Sequence, residues 1–449
     1  METKKYILTG LLAIAITISG CEKFLDAKPD HKLAVPETLT DLQALLDNYS
    51  VLNTSESSSG EVSGDDYYLT PDVWAALASE DHKRMHTWQK DLLFTTQLND
   101  WHYGYRRVYY CNSVLEQLSG AVGSAADHQN VEGQAFFHRG RTFLQMAWLW
   151  SLAWDAKTAD TEPGIPLRMN SDFNETSRRA SIRDSYEQII SDLKAAARLL
   201  PVTSLHPMRP SKPAAYAMLA RTYLSMGEYV QAGSYADSCL RLKSELLDYN
   251  NLNAADTYPV PQFNAEVIFD SYTPPPAPLS MSRARITDAL YQSYAADDLR
   301  KTIFFRNNNN GTFAFKGSYD QIPLFMGIAA DEVYLIRAEC YARAGNTVDA
   351  LKDLNVLLIK RWKKNTFTPL TAATSVAALN LVLSERRKEL LMRGLRWSDL
   401  KRLNREGAAI SLSRAVNNQV YVLEPNDLRY ALPIPEEVIS LTNMTQNRR

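Results

Sequence analysis

The stretch "LARTYLSMGEYVQAGSYADSCLRL", residues 219–242, decides how the chain is read. Ala220, Tyr223, Tyr229, Ala232 and Ala236 fall at helical spacing on either side of Gly227. Small alanines let two antiparallel helices approach, tyrosines fill the seam, and Gly227 ends the first helix. The stretch therefore predicts a pair of short antiparallel helices.

Those offsets resemble a tetratricopeptide repeat. A weaker copy lies downstream in "RAECYARAGNTVDALKDLN", where Ala338, Gly345 and Ala350 repeat the spacing of Ala220, Gly227 and Ala232. "SERRKELLMRGLRWSDLKRLN" offers a further helix–glycine–helix unit around Gly394. Upstream, Asp41 to Asn48 reads as an early helix, and "WHYGYRRVYYCNSVLEQLS" and "QAFFHRGRTFLQMAWLWSLAWD" as two long ones. "SIRDSYEQIISDLKAAARLLP" follows, with Ser181 as N-cap and Pro201 as stop. The units are not in tandem. The predicted fold is therefore mainly all-α, a tetratricopeptide-like scaffold of helical pairs interrupted by long loop-rich insertions.

Two inserted segments stand out, near residues 50–88 and 250–327. The first contains "SSSGEVSGDDYYLTPDVW"; the second contains "SYTPPPAPLS" and "NNNNGTFAFKGSYD". Proline and asparagine crowding excludes continuous helix there. Asn310-Gly311 predicts a small β-hairpin within "TIFFRNNNNGTFAFKG". Long irregular segments inside a folded chain are usually functional or disordered, and the aromatics in these argue against disorder.

The 449 residues carry a formal net charge of −2, with no polybasic footprint for nucleic acid. No nucleophile elbow, phosphate loop or calcium loop is present. His82 and His86 are four apart, but "HKRMH" lacks the glutamate of a zinc peptidase, and the pair reads as a solvated helix face. Cys111, Cys239 and Cys340 show no metal or redox spacing and read as core thiols. No metal and no cofactor are called for. Asp65-Asp66 is a carboxylate pair, but adjacent residues rarely present both groups to one face of a sugar, so a solvated turn or ligand hydrogen bonding is the expectation rather than catalysis. Sugar rings carry a C–H face that stacks on aromatic rings, while their hydroxyls bond to Asp, Asn and Arg side chains. A shallow ligand site is therefore expected where the two segments meet. Asp65, Asp66, Tyr67, Tyr68, Trp74 and Trp88 would contribute from the first, Tyr272 and Tyr319 from the second. The structural alternative is that Trp74 and Trp88 are buried plugs.

The N-terminus carries Lys4 and Lys5, then an apolar run from Tyr6 to Ile18, then Ser19-Gly20-Cys21. The run is shorter than the roughly 20 residues of a spanning helix. The layout is that of a signal peptide over residues 1–20, and Ile18-Ser19-Gly20-Cys21 resembles a bacterial lipobox. Cys21 is then the lipid attachment point and the first residue of a single domain over 21–449.

Taken in order, the lipobox with "CEKFLD", "YEQIISDLKAAARLLP", "RPSKPAAYAMLARTYLSMGEYVQA", "YLIRAECYARAGNTVDALKDLN", "ERRKELLMRGLRWSDLKR" and "LPIPEEVISLTNMTQN" resemble the SusD/RagB family across nearly the whole chain. The departure is at the end, where "QNRR" stands in place of the Pro-Gly and aromatic common in that family. The resemblance implies an outer-membrane lipoprotein facing the cell exterior. It implies a glycan or peptide ligand, no catalytic activity, and a TonB-dependent outer-membrane transporter (SusC-like) as partner. It carries over no individual binding residue. The rival expectation is a periplasm-facing repeat lipoprotein that scaffolds protein assembly or binds peptides; a glycosidase on a helical scaffold would need a separated acid pair.

Overall fold

The computed structural model describes residues 38–449. Cys21 and the signal-like segment lie outside the described residues.

Local chemistry sets the helices. Leu39–Leu46 starts from Thr38, whose side chain and that of Asp41 form a capping box. Asp100–Gln117 and Ala125–Trp150 are capped by Asn99 and Ser124. Ile182–Leu199 begins at Ser181 as expected, again with a capping box, through Asp184. Lys212–Met226 and Tyr229–Leu240 are the pair read from the opening stretch, and Gly227 between them sits at φ +76°. Ala330–Arg343 and Thr347–Leu358 form the downstream pair, with Gly345 at φ +82°. Both breaks close with the same bond: the Glu228 N–H donates to Tyr223 O at 2.9 Å, and the Asn346 N–H to Tyr341 O at 2.9 Å. Left-handed backbone at these points favours glycine. Ser375–Glu389 and Arg396–Arg405 flank Gly394, which also has positive φ.

Each helix packs on the next. Ala125–Trp150 lies against Ile182–Leu199, which lies against Lys212–Met226 and so on to Tyr229–Leu240. The seams are apolar: Ala220, Ala232, Ala236, Ala338 and Ala350 are fully buried, and Tyr223 stacks on Tyr235 at 5.6 Å with planes 3° apart. The repeats, separated in sequence, are neighbours in space. Tyr229–Leu240 packs directly on Ala330–Arg343, so the second inserted segment is looped out of a continuous stack. Cys111, Cys239 and Cys340 are buried free thiols.

The first inserted segment is less irregular than its composition predicts. It is broken into the short helices Tyr49–Leu52, Ser59–Ser63, Pro71–Ala75 and Glu80–His86. Gly64 caps the end of Ser59–Ser63 and Pro71 opens Pro71–Ala75, so these residues bound short helices rather than exclude them. The second carries short strands, including the expected hairpin, Phe305–Asn307 with Phe313–Phe315. A hairpin that the sequence reading did not anticipate, Leu412–Val416 with Gln419–Leu423, turns at Asn417-Asn418, both at positive φ. The described strands form six two-stranded antiparallel pairs and no larger sheet.

The chain's end is tied down. The Asn447 amide donates to Trp150 O at 2.9 Å and to Leu432 O at 2.6 Å, and the Trp150 indole donates to Pro433 O at 3.0 Å.

Candidate functional site

The two inserted segments are stitched together through their backbones. Tyr67 and Tyr68 pair antiparallel with Ile286 and Arg285. The Tyr272 N–H donates to Asn53 O at 2.8 Å, and the Thr287 N–H to Asp66 O at 3.1 Å. Ion pairs fasten this junction to the scaffold. Asp65 accepts from Arg396 Nε at 2.6 Å and from Arg387 Nη2 at 3.0 Å; Asp66 accepts from Arg387 Nε at 2.8 Å. Burial raises the Asp65 carboxyl, but Arg396 and then Arg387 outweigh it and hold the group down at about 2. Asp66, fully buried beside Asp65, is pushed up. Glu61 is buried next to both, accepts the Gly394 N–H at 3.0 Å, and is pushed up to about 8, chiefly by burial and then by Asp66. The Asp65-Asp66 pair is thus not a solvated turn, because two scaffold arginines take both carboxylates.

The rings expected to stack on ligand divide into two groups. Tyr67 is 2% exposed; its hydroxyl donates to Val62 O at 2.8 Å and sits 3.1 Å from His86 Nδ1. His86 is accordingly buried, not part of a solvated face. Trp88 is 3% exposed, its indole donates to Ser63 O at 3.0 Å, and Arg414 lies over its ring at 4.7 Å. Tyr319 is 1% exposed, its hydroxyl donates to Glu266 Oε2 at 2.7 Å, and Arg393 lies 4.7 Å over its ring. These three rings present no free face. Tyr68, Trp74 and Tyr272 are half-buried. Near Tyr68, the Arg285–Ile286 strand runs beside Phe313–Phe315, where half-buried Phe313 stacks on Tyr291 at 3.5 Å and 11°. Lys301 Nζ lies 4.9 Å over the Tyr291 ring.

A cleft of 460 Å³ lies at the same junction, lined by Ser58, Asp81, His82, Tyr103, Thr273 and Pro274 among others. Its carboxylates are engaged. Asp100 accepts from Ser58 N, Ser59 N and Ser59 Oγ at 2.9, 2.8 and 2.6 Å, and Asp81 from Thr95 N and Oγ1 at 2.8 and 2.6 Å. The arrangement suits hydrogen bonding to hydroxyls more than acid–base work.

A second groove, also of 460 Å³, lies outside both inserted segments. Trp101, Tyr105 and Tyr109 line it at four-residue intervals along Asp100–Gln117, facing the loop 166–177 and the helix Glu436–Thr442. The Trp-x3-Tyr-x3-Tyr spacing was visible in the sequence, but nothing local reveals that a loop from sixty residues on completes the groove. Among the described residues, no group of three or more His, Cys, Asp or Glu side chains is placed to hold a metal ion. No described helix is long and apolar enough to cross a membrane.

Stacked helix pairs with a loop-rich junction between them place the chain among helical-repeat proteins with inserted segments. Two family models match it: one described as "Starch-binding associating with outer membrane" over residues 23–224, and one described as "SusD family" over residues 328–448. The chain belongs to the SusD/RagB family. Solved structures share its fold. A SusD superfamily protein from Bacteroides thetaiotaomicron is 20% identical, with a TM-score of 0.74 over 92% of this chain and 100% of that one. A SusD superfamily protein from Bacteroides vulgatus is 19% identical, with a TM-score of 0.76 over 92% and 99%. A laminarin-binding SusD-like protein is 16% identical, with a TM-score of 0.65 over 90% and 97%. A search of curated proteins finds no match.

Proposed function

We propose that this protein is a non-catalytic, lipid-anchored glycan-binding protein of the outer membrane, attached through Cys21 and acting from Cys21 to Arg449 as one domain. It faces the cell exterior and hands oligosaccharides to a TonB-dependent transporter. The observation that carries the reading is the junction itself. Two segments about two hundred residues apart are hydrogen-bonded side by side, and half-buried Tyr68, Trp74 and Tyr272 lie on them. Family membership and the laminarin-binding relative support the ligand class. The apolar core runs from Val62 to Met444 across scaffold and junction, which supports the single domain.

Isothermal calorimetry against soluble starch, laminarin and mannan tests the reading. Tyr68→Ala, Trp74→Ala and Tyr272→Ala combined should remove binding while the melting temperature changes little. Full binding by that triple variant would sink the junction as the site. Protease shaving of intact cells separates this reading from a periplasm-facing scaffold, since only the former places the protein within reach of the protease.

A further inference from the structure

The second groove lies apart from the junction and is walled by aromatic rings. Half-buried Tyr105 and Tyr109 lie one helical turn, about 6 Å, apart along the groove, while Trp101, 7% exposed and packed edge-on against Trp150, forms its floor. Such an arrangement suits a ligand that is itself a chain of rings. Phe173, at the tip of the facing loop, is 79% exposed and stacks on Tyr109 at 4.8 Å and 28°. One face of Phe173 is taken by Tyr109, but most of the ring stays exposed at the edge of the groove, where a ligand can reach it.

The loop is braced from within. Arg168 Nη1 donates to Glu175 O at 2.5 Å and to Ser177 Oγ at 3.3 Å, and Nη2 donates to Asp172 O. The Asn112 amide donates to Arg168 O and Asn170 O, both at 2.9 Å. Its Oδ1 accepts from Arg139, whose guanidinium makes two further bonds of 2.8 Å to Asp192. A buried chain of bonds therefore runs from the helical scaffold to the loop that carries Phe173. Rings fixed in this way lose little freedom on binding.

The rim narrows the ligand class. The Asn170 and Asn174 amides and the Ser171 hydroxyl donate to Glu175, Asp172 and Glu116, so the rim presents chiefly acceptors, among them the Glu175 carboxylate, with the Thr176 hydroxyl beside them. Arg168 spends its guanidinium on loop oxygens, so the groove offers no free cation for an anionic ligand. Tyr105 is held in place by its hydroxyl bond to Pro166 O at 2.8 Å. Aromatic faces for C–H surfaces, with hydroxyl partners at the rim, match a neutral oligosaccharide. We infer that the groove between the Asp100–Gln117 helix and the loop 166–177 is a second neutral-oligosaccharide site, with Tyr109 and Phe173 as its stacking platform. The inference rests on the glycan reading for its ligand class only.

The test uses the full chain with soluble starch, laminarin and mannan by calorimetry, with melting curves for every variant. Phe173→Ala is placed at an exposed tip, so the fold is kept; Tyr109→Ala joins it in a second variant. The Phe173→Ala/Tyr109→Ala protein should lose about tenfold in affinity or one of two classes of site. Phe173→Trp should restore binding, and the Tyr68→Ala/Trp74→Ala/Tyr272→Ala protein should retain the groove's share. If the groove variants bind every glycan as the parent does, while the junction variant has lost binding, the second site is refuted and the junction stands. If the groove variants alone lose all binding, the groove stands and the junction falls. If the unaltered protein binds none of the three, both readings fail.

Discussion

A Cβ built on Gly233 would lie 3.1 Å from the Cβ of Cys340. Gly233 belongs to Tyr229–Leu240 and Cys340 to Ala330–Arg343, with the whole second inserted segment between them in sequence. This close approach joins the two repeat-like pairs into one stack and lets the intervening segment leave the scaffold as a loop.

Gly233→Leu should therefore overpack the seam and lower stability by about 1–3 kcal/mol. Thermal denaturation reads the effect. An unchanged melting temperature would mean that the seam has room and that the two pairs are less tightly joined than the contact indicates.

The fastening of the junction predicts a larger effect. Asp65 bridges Arg396 and Arg387, and its side chain is 18% exposed. Asp65→Ala takes from Arg396 its close partner, while Arg387 keeps Asp66 at 2.8 Å, and should cost about 3 kcal/mol, the low end of the penalty for breaking a buried pair from one side. Urea denaturation measures it; a loss below 1 kcal/mol would place the pair with weak surface bridges.

Trp88 and Trp74 should behave differently. Trp88 is enclosed beneath Arg414, so Trp88→Ala should cost about 3–5 kcal/mol. Trp74 is half-buried, with a long indole bond of 3.4 Å to Lys83 O, and Trp74→Ala should leave the melting temperature nearly unchanged. Paired melting curves check this, and similar losses in both variants would contradict it.

Asp270 and Asp320 give a pH signature. Asp270 is fully buried with neither carboxylate oxygen partnered, and burial and Asp320 push it up to about 8; burial pushes Asp320 up to about 7. Below about pH 4 both states hold the proton and the site adds no pH dependence. As pH rises toward 8, the unfolded chain releases protons that the folded chain retains, so stability falls through that window and levels off above it. Asp270→Asn removes that loss. The melting temperature of the variant relative to the parent should rise between pH 4 and pH 8, and a difference independent of pH would refute the assignment.

Replacing Cys21 with Ala should abolish lipid attachment and leave soluble, unprocessed or mislocalised protein. Fractionation and mass spectrometry of the N-terminus check it. A Cys21→Ala protein that is still processed and membrane-bound would overturn the anchor.

The helical scaffold was legible because its signals are local. The capping Ser181, the alanine spacing around Gly227 and its repeat around Gly345 each act within a dozen residues, and the structure shows helices starting and breaking there. The 305–315 hairpin was announced in the same way by Asn310-Gly311. The Leu412–Leu423 hairpin went unread although Leu412, Arg414 and Val416 alternate with exposed neighbours, because its turn uses Asn-Asn in place of the stronger Asn-Gly signal. Asp65 and Asp66 were misread as solvated because the arginines that bury them lie more than three hundred residues further on.

By itself, then, the sequence determined that the chain is built from helix pairs with two long segments set between them, since periodicity and caps depend only on near neighbours. The tertiary structure alone decided which aromatic rings are free. Trp88 and Phe173 both lie in stretches without long helices, yet Arg414 covers the first while the second stands 79% exposed on a loop braced by Asn112. Burial of a ring is set by what distant parts of the chain lay over it, and no pattern around the ring itself encodes that.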